Sequence, residues 1–175
     1  ASVPDIAEEA GVSTGAIYSN FSGKEELFLQ MIAEIAQAGA LQRAAVLADQ
    51  DDPTDDDVVA EMAGGWVRTL DDQPELVLLM AEFWLYSVRR DQYRPLVAAF
   101  LDAVRGSFRE TAVQMAKLDD GDASTLAAGI QALAYGYAMQ HEADPDAVSA
   151  EQFVTAARWL VAGAGIEGSR TSRSS

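Results

Sequence analysis

The chain's 175 residues include 12 Lys and Arg against 28 Asp and Glu, for a net charge of −16, with no cysteine and 49% hydrophobic residues. That hydrophobic share supports a packed core and excludes a disordered chain, while the lack of cysteine excludes disulfides, a thiolate metal site and a thiol nucleophile. No apolar run approaches the roughly 18 residues that a membrane helix needs, so a soluble, cytoplasmic protein without membrane contact is expected.

Residues 2–27, SVPDIAEEAGVSTGAIYSNFSGKEEL, predict a helix-turn-helix feeding directly into a long helix. Ser2, with Pro4 and Asp5, starts a first helix over about 3–9. Ser13 is the N-cap of a second over about 13–20, and Ser22 with Glu25 forms a capping box for a third over about 23–48. Gly11 permits the positive-φ turn between the first two, Ala7 lets them approach, and Ile17 locks the pair. Three capped starts this close together suit a DNA reader, whose second helix reaches base edges through its N-terminal residues. Ser13, Thr14, Gly15, Tyr18, Ser19 and Asn20 lie on or just before that helix. Thr14 can hydrogen-bond a base or phosphate and place its methyl against thymine, and Gly15 lets the backbone come close. Ile17 and Phe21 are read as core.

The charge cuts against this reading. Residues 1–50 offer only Lys24 and Arg43 against seven acids, where a DNA binder is expected to show a basic footprint. The other acids concentrate at 49–57, Asp71-Asp72 and 119–122, read as loops and helix starts where carboxylates suit the positive end of a helix. Contacts to DNA can instead come from backbone amides and hydroxyls at a helix N-terminus.

The run Tyr18-Ser19-Asn20-Phe21-Ser22-Gly23-Lys24-Glu25-Glu26-Leu27, behind the turn Ala10-Gly11-Val12-Ser13, closely resembles the DNA-binding end of the tetracycline-repressor (TetR) family of bacterial transcription regulators. This pattern is far more specific than a generic helix-turn-helix. A weaker likeness covers AYGYAMQHEADPDAV at 134–148. The resemblance implies that Tyr18 and Lys24 contact phosphates. Family members carry a helix ahead of the turn motif, usually behind a basic arm. An N-terminal segment holding that helix and much of the positive charge is therefore expected to precede Ala1.

Beyond the reader, helical periodicity continues, with no period-two run of useful length. Leu27, Met31, Ile35 and Ala38 line one face of the connecting helix. The acidic stretch 49–57, with Pro53 inside it, marks a domain boundary, and Thr54 with Asp57 starts a helix through Leu70 carrying Val58, Val59, Met62, Trp66 and Leu70. Pro74 opens a helix to about Arg90, and a further helix lies within 91–117. Trp66, Met80, Phe83, Trp84, Phe100 and Phe108 fall on these three helices. The resemblance implies an apolar effector cavity there, and a packed core is the plain alternative. Gly64-Gly65 in a helix interior points to a close approach or bend. Glu75, Glu82 and Arg89 recur every seven residues, as a solvated stripe does.

Gly121 breaks the chain before a helix over about 124–141, apolar nearly all round and so buried on both sides. Leu126, Ile130, Leu133 and Tyr137 form its inner face. Gly129, Ala132 and Gly136 form a small-residue face that, with Ala157, Leu160 and Val161 on a last helix over about 149–163, makes a homodimer interface. His141 is the single histidine and reads as structural. No nucleophile–base pair, metal-ligand cluster or phosphate loop is present, so no enzyme, metal or cofactor is expected.

The expected architecture is all-α in two domains. A helix-turn-helix reader with its connecting helix occupies 1–48, a ligand-binding and dimerisation domain occupies 54–165, and 166–175 form a disordered tail. The expected function is a homodimeric transcription regulator, a repressor that holds double-stranded operator DNA until a small apolar effector enters. The alternative is a helical ligand-binding or protein-interaction module that does not bind DNA.

Overall fold

A computed structural model describes residues 2–49, 56–116 and 118–171 and, within these, every side chain except those of Asp56, Ala116 and residues 166–171. Among the described residues there are eight helices and no strand. They are α1 (Val3–Glu9), α2 (Thr14–Asn20), α3 (Lys24–Ala48), α4 (Asp56–Asp72), α5 (Glu75–Val88), α6 (Arg94–Ala116), α7 (Asp120–Ala143) and α8 (Ala150–Thr171). The chain divides into two compact units, Ala1–Ala38 and Gly39–Ser175, and α3 contributes to both. The heart of the acidic boundary, including Pro53 and Thr54, lies outside the described residues. The last helix runs on to Thr171 rather than stopping near 163, because Gly163 and Gly165 weaken a helix without ending it when no proline follows. Residues 172–175 lie outside the described residues.

In the first unit, hydrogen-bond chemistry sets both short helices. The Ser2 N–H donates to Asp5 Oδ2 at 2.7 Å, while the Asp5 N–H donates to Ser2 Oγ at 3.4 Å, a complete capping box. Those bonds hold the Asp5 carboxyl below its usual range. At the other end of α1, the Val12 N–H reaches Ala7 O at 3.0 Å and the Gly11 N–H reaches Glu8 O at 3.1 Å. This pair of bonds is a Schellman stop, and it places Gly11 at φ 66°, where an L side chain is strained. Ser13 Oγ then accepts from the Ala16 N–H at 3.1 Å to start α2. At the start of α3 the Ser22 N–H is taken by the Glu26 carboxylate at 2.6 Å, one residue beyond the Glu25 that the sequence pattern nominates. Val3, Ala7 and Ile17 are buried together, with Ile6, Phe21 and Leu27 packed around them. Ala7 is only 2% exposed, so a larger side chain there would force α1 and α2 apart.

In the second unit, α6 lies along α7 and α4 along α8, with α7 and α8 packed on each other. The main core gathers Val58, Val59, Ala63, Val67 and Leu70 from α4 with Met115, Tyr137, Phe153 and Ala157. Met62 and Trp66, expected on the α4 stripe, are partly buried against this core, and Ala63 and Val67 are buried in it. Trp66 is anchored there by its indole N–H, which donates to Ala134 O at 3.2 Å. A Cβ on Gly65 would stand 2.7 Å from Gln42 Nε2, so the Gly64-Gly65 pair marks a close approach of α3 to α4 rather than a bend. Gln131, buried in α7, is satisfied by Arg105 Nη1 at 3.3 Å and by Leu101 O at 3.1 Å. Asp119 caps α7, accepting from the N–H groups of Gly121 and Asp122 at 2.9 Å each. The acids at 119–122 thus fall at a helix start, where the helix dipole favours them.

Candidate nucleic-acid interface and regulatory surfaces

The second helix of the reader is seven residues long and buries a single side chain, Ile17. Everything else it carries faces outward or lies at the rim: Thr14 is half-buried, Gly15, Ala16, Ser19 and Asn20 are exposed, and Tyr18 is 55% exposed. Nothing among the described residues requires Gly15 to be glycine. Its φ is not positive, and a Cβ there would meet only Ser13 Oγ, at 3.9 Å. A glycine costs up to about 1 kcal/mol against alanine in a helix interior, and Gly15 sits in the first turn of α2. An outward glycine that the fold does not need suits a surface that another molecule must approach closely.

Ser19 and Asn20 are turned inward on their own helix. The Ser19 hydroxyl donates to Ala16 O at 2.8 Å, and Asn20 Nδ2 donates to the same carbonyl at 2.9 Å and to Ser19 Oγ at 3.2 Å. These bonds close the end of α2, a structural task the sequence reading did not assign to them. Thr14, Gly15 and Tyr18 are therefore the outward residues of α2 best placed to meet a partner. Lys24 is exposed at the first position of α3.

In the second unit, the six aromatic and Met residues expected around an effector divide into three groups. Trp66 packs against the main core. Trp84 is 50% exposed on α5, where Glu82 is exposed as well. Met80, Phe83, Phe100 and Phe108 are half-buried on α5 and α6. The resemblance implies one cavity bordered by these three helices, with a packed core as the alternative. The packing instead pairs α4 mainly with α8, and α5 and α6 with each other and with α7.

An open groove of about 210 Å³ lies between α7 and α8, with Ala132, Leu133, Gly136, Tyr137, Phe153 and Ala156 in its walls. Ala132 and Gly136 thus border open space. Gly129 is covered by Leu160, whose methyl carbons lie 3.8 and 3.9 Å from the position of a Cβ, while Ala157 is buried in the chain's own core and Val161 packs against it. The outer faces carry two large side chains that the sequence reading missed, Met139 at 64% and Trp159 at 73% exposure. An outward helical position holding a large apolar residue was the signal available for both. His141 Nε2 lies 3.3 Å from Asp71 Oδ1, and its ring stacks on Tyr137, which stacks on Phe153, so it braces α4, α7 and α8 as a structural residue. Among the described residues, no helix is long and apolar enough to cross a membrane.

Residues 1–31 match the family model of the tetR bacterial regulatory proteins, and residues 57–164 match the model of the C-terminal domain of BetI-type transcriptional repressors. No curated protein and no solved structure matches the chain at a significant level. With an outward-facing helix-turn-helix at one end and a matched helical domain over most of the rest, the chain belongs to the tetR family of DNA-binding transcriptional regulators.

Proposed function

We propose that this regulator is a homodimeric repressor that leaves its operator when a small, mainly apolar effector enters the helical domain. Residues 1–48 serve as the reader and 54–165 as the effector and dimerisation domain. The observation that carries the DNA half of the reading is the outer face of α2, where Gly15 stands exposed with no packing or backbone need for glycine, beside Thr14 and Tyr18. Thr14 and Gly15 read base edges, while Ser13, Tyr18 and Lys24 hold phosphates. Ser19 and Asn20 support the helix end through their bonds to Ala16 O, which occupy the Ser19 hydroxyl and Asn20 Nδ2 donors, so they meet DNA as donors only by giving those bonds up.

A reader this small covers few base pairs, so useful specificity calls for two copies on a two-fold site. The outer surface of α7 and α8 supports such a pairing, because Ala132 and Gly136 line an open groove between these helices and Met139, Trp159 and Leu160 are exposed apolar side chains on the same two helices. Half-buried Met80, Phe83, Phe100 and Phe108 support an apolar effector surface along α5 and α6.

Titration of the full chain on the DNA upstream of its own gene, at several salt concentrations, tests the reading. Lys24→Ala is expected to weaken binding equally on all sequences and to lower the salt slope by about one. Thr14→Ala is expected to change base preference instead. A Lys24→Ala protein with altered sequence preference and an unchanged salt slope would overturn the roles, and a wild type that sediments as a monomer at micromolar concentration would overturn the pairing.

A further inference from the structure

Arg43, in the second half of α3, holds its guanidinium 4.4 Å from the centre of the Phe108 ring on α6. Its Nη2 donates to Ser107 Oγ. Its Nε is buried and has no hydrogen-bond partner among the described residues. Four arginines of this acidic chain pair with carboxylates, Arg68 with Glu61, Arg94 with Asp91, Arg105 with Asp102 and Arg109 with Asp120, and Arg90, which lies over the Tyr86 ring as Arg43 lies over Phe108, is exposed to solvent. Arg43 has no acidic partner among the described residues, and burial lowers its pKa with no carboxylate opposing the shift. A half-buried cation that has only a ring and a hydroxyl as partners, and an orphaned buried Nε, keeps part of its desolvation cost, which an anion would offset.

The surroundings suit a ligand. A guanidinium over an aromatic ring keeps its in-plane N–H donors for a planar anion, the geometry in which arginine binds carboxylates best. Gly39, one turn before Arg43, lets the guanidinium lie against the backbone of α3, since a Cβ there would stand 3.4 Å from Nη1. Gly106, beside Ser107, has nothing within 4 Å of a Cβ position.

We propose that Arg43 anchors the anionic end of the effector, a small organic acid whose carboxylate takes the guanidinium and whose apolar body lies along Phe108. The inference rests on the effector-released regulator described above and specifies the chemistry of its ligand. The acid engages α3, the helix whose first residue is the proposed phosphate contact Lys24. Binding therefore biases the element that continues into the reader.

The test uses the full chain with straight-chain carboxylates from acetate to decanoate, and with octanol and octyltrimethylammonium as neutral and cationic counterparts of octanoate. Calorimetric binding, thermal melting and operator release are followed for wild type, Arg43→Met and Arg43→Lys. The longer carboxylates are expected to bind wild type at least tenfold more tightly than octanol and to raise its Tm. Arg43→Met is expected to lose that preference while melting, without ligand, at or above the wild-type temperature, and Arg43→Lys is expected to fall between the two. Octanol or the cation binding as well as octanoate overturns the proposal, as does the absence of Arg43-dependent binding by any of the carboxylates. So does an Arg43→Met protein that melts well below wild type or fails to fold. Operator release by octanol but not by octanoate discards the anionic anchor and keeps the effector-released regulator. Arg43-dependent carboxylate binding with no change in operator occupancy keeps the anchor and discards release as its consequence.

Discussion

The two units of this chain are held together by different means. The reader unit sets two seven-residue helices with a capping box, a Schellman stop and a serine cap, and it buries few apolar side chains, chief among them Val3, Ala7 and Ile17. The second unit relies on packing: side chains from α4, α5, α6, α7 and α8 meet in one core, and the long helices carry few special ends. A small unit cannot bury enough apolar surface to be rigid by that means alone, so directional bonds fix its geometry. A larger unit can spread its stability over many contacts and leave some faces loosely filled, which is what a ligand or a second copy requires.

The contrast is broken most severely through the core. Leu70, 2% exposed at the end of α4, loses its partners on truncation, so Leu70→Ala is expected to cost about 3 kcal/mol in denaturant unfolding. Hydrogen exchange of the α4, α7 and α8 amides should accelerate with it, while a cost below about 1 kcal/mol would show that the α4–α8 packing is not the main support. In the reader the corresponding weak point is a backbone angle. Gly11→Ala forces a Cβ into a left-handed conformation and is expected to cost about 1–2 kcal/mol, seen as faster exchange in α1 and α2, although nothing stands within 4 Å of the added methyl. An Ala variant as stable as wild type would mean that the turn relaxes out of the positive-φ form.

The smallest expected effect is acid sensitivity. The Asp5 and Glu26 carboxyls are held below their usual range by hydrogen bonds from Ser2 and Ser22. Because the folded pKa is lowered, their contribution is present at neutral pH and is lost as pH falls through the carboxylate range, below about 4. The start of α1 is expected to fray there first, and Asp5→Asn should remove part of that pH dependence. A pH profile of α1 exchange unchanged by Asp5→Asn would show that the cap carries no such linkage.

How much of this was legible in the sequence follows from the same contrast. The caps at Ser2 and Ser13 and the turn at Gly11 are local, so the letters within four residues sufficed to place them. The acidic run at 119–122 is only half legible: the pattern predicts a break at Gly121 and a helix from about 124, whereas the Asp119 cap starts α7 at Asp120 and the helix runs through Gly121. Partner choice among long helices is not local. Spacing could name Trp66 and Trp84 as members of apolar stripes, but it could not tell that one would hydrogen-bond to α7 while the other stood half in solvent. The same blindness assigned Ala157 to an outer face, although Phe153 and Tyr137 enclose it in the core, and it passed over Trp159 on the surface. Arg43 was visible only as a charge. Its burial against Phe108 requires α6 to be brought to α3.

The central claim is that the outer face of α2 is shaped for DNA rather than for folding, and Gly15→Ala tests it most directly. Two measurements on the same full-length protein decide the matter: unfolding by denaturant, and fluorescence anisotropy on DNA from upstream of its gene. The added methyl meets only Ser13 Oγ, at 3.9 Å, so the account predicts a reader up to about 1 kcal/mol more stable, bound at least tenfold more weakly to DNA. Unchanged affinity in a folded Gly15→Ala protein would contradict the claim.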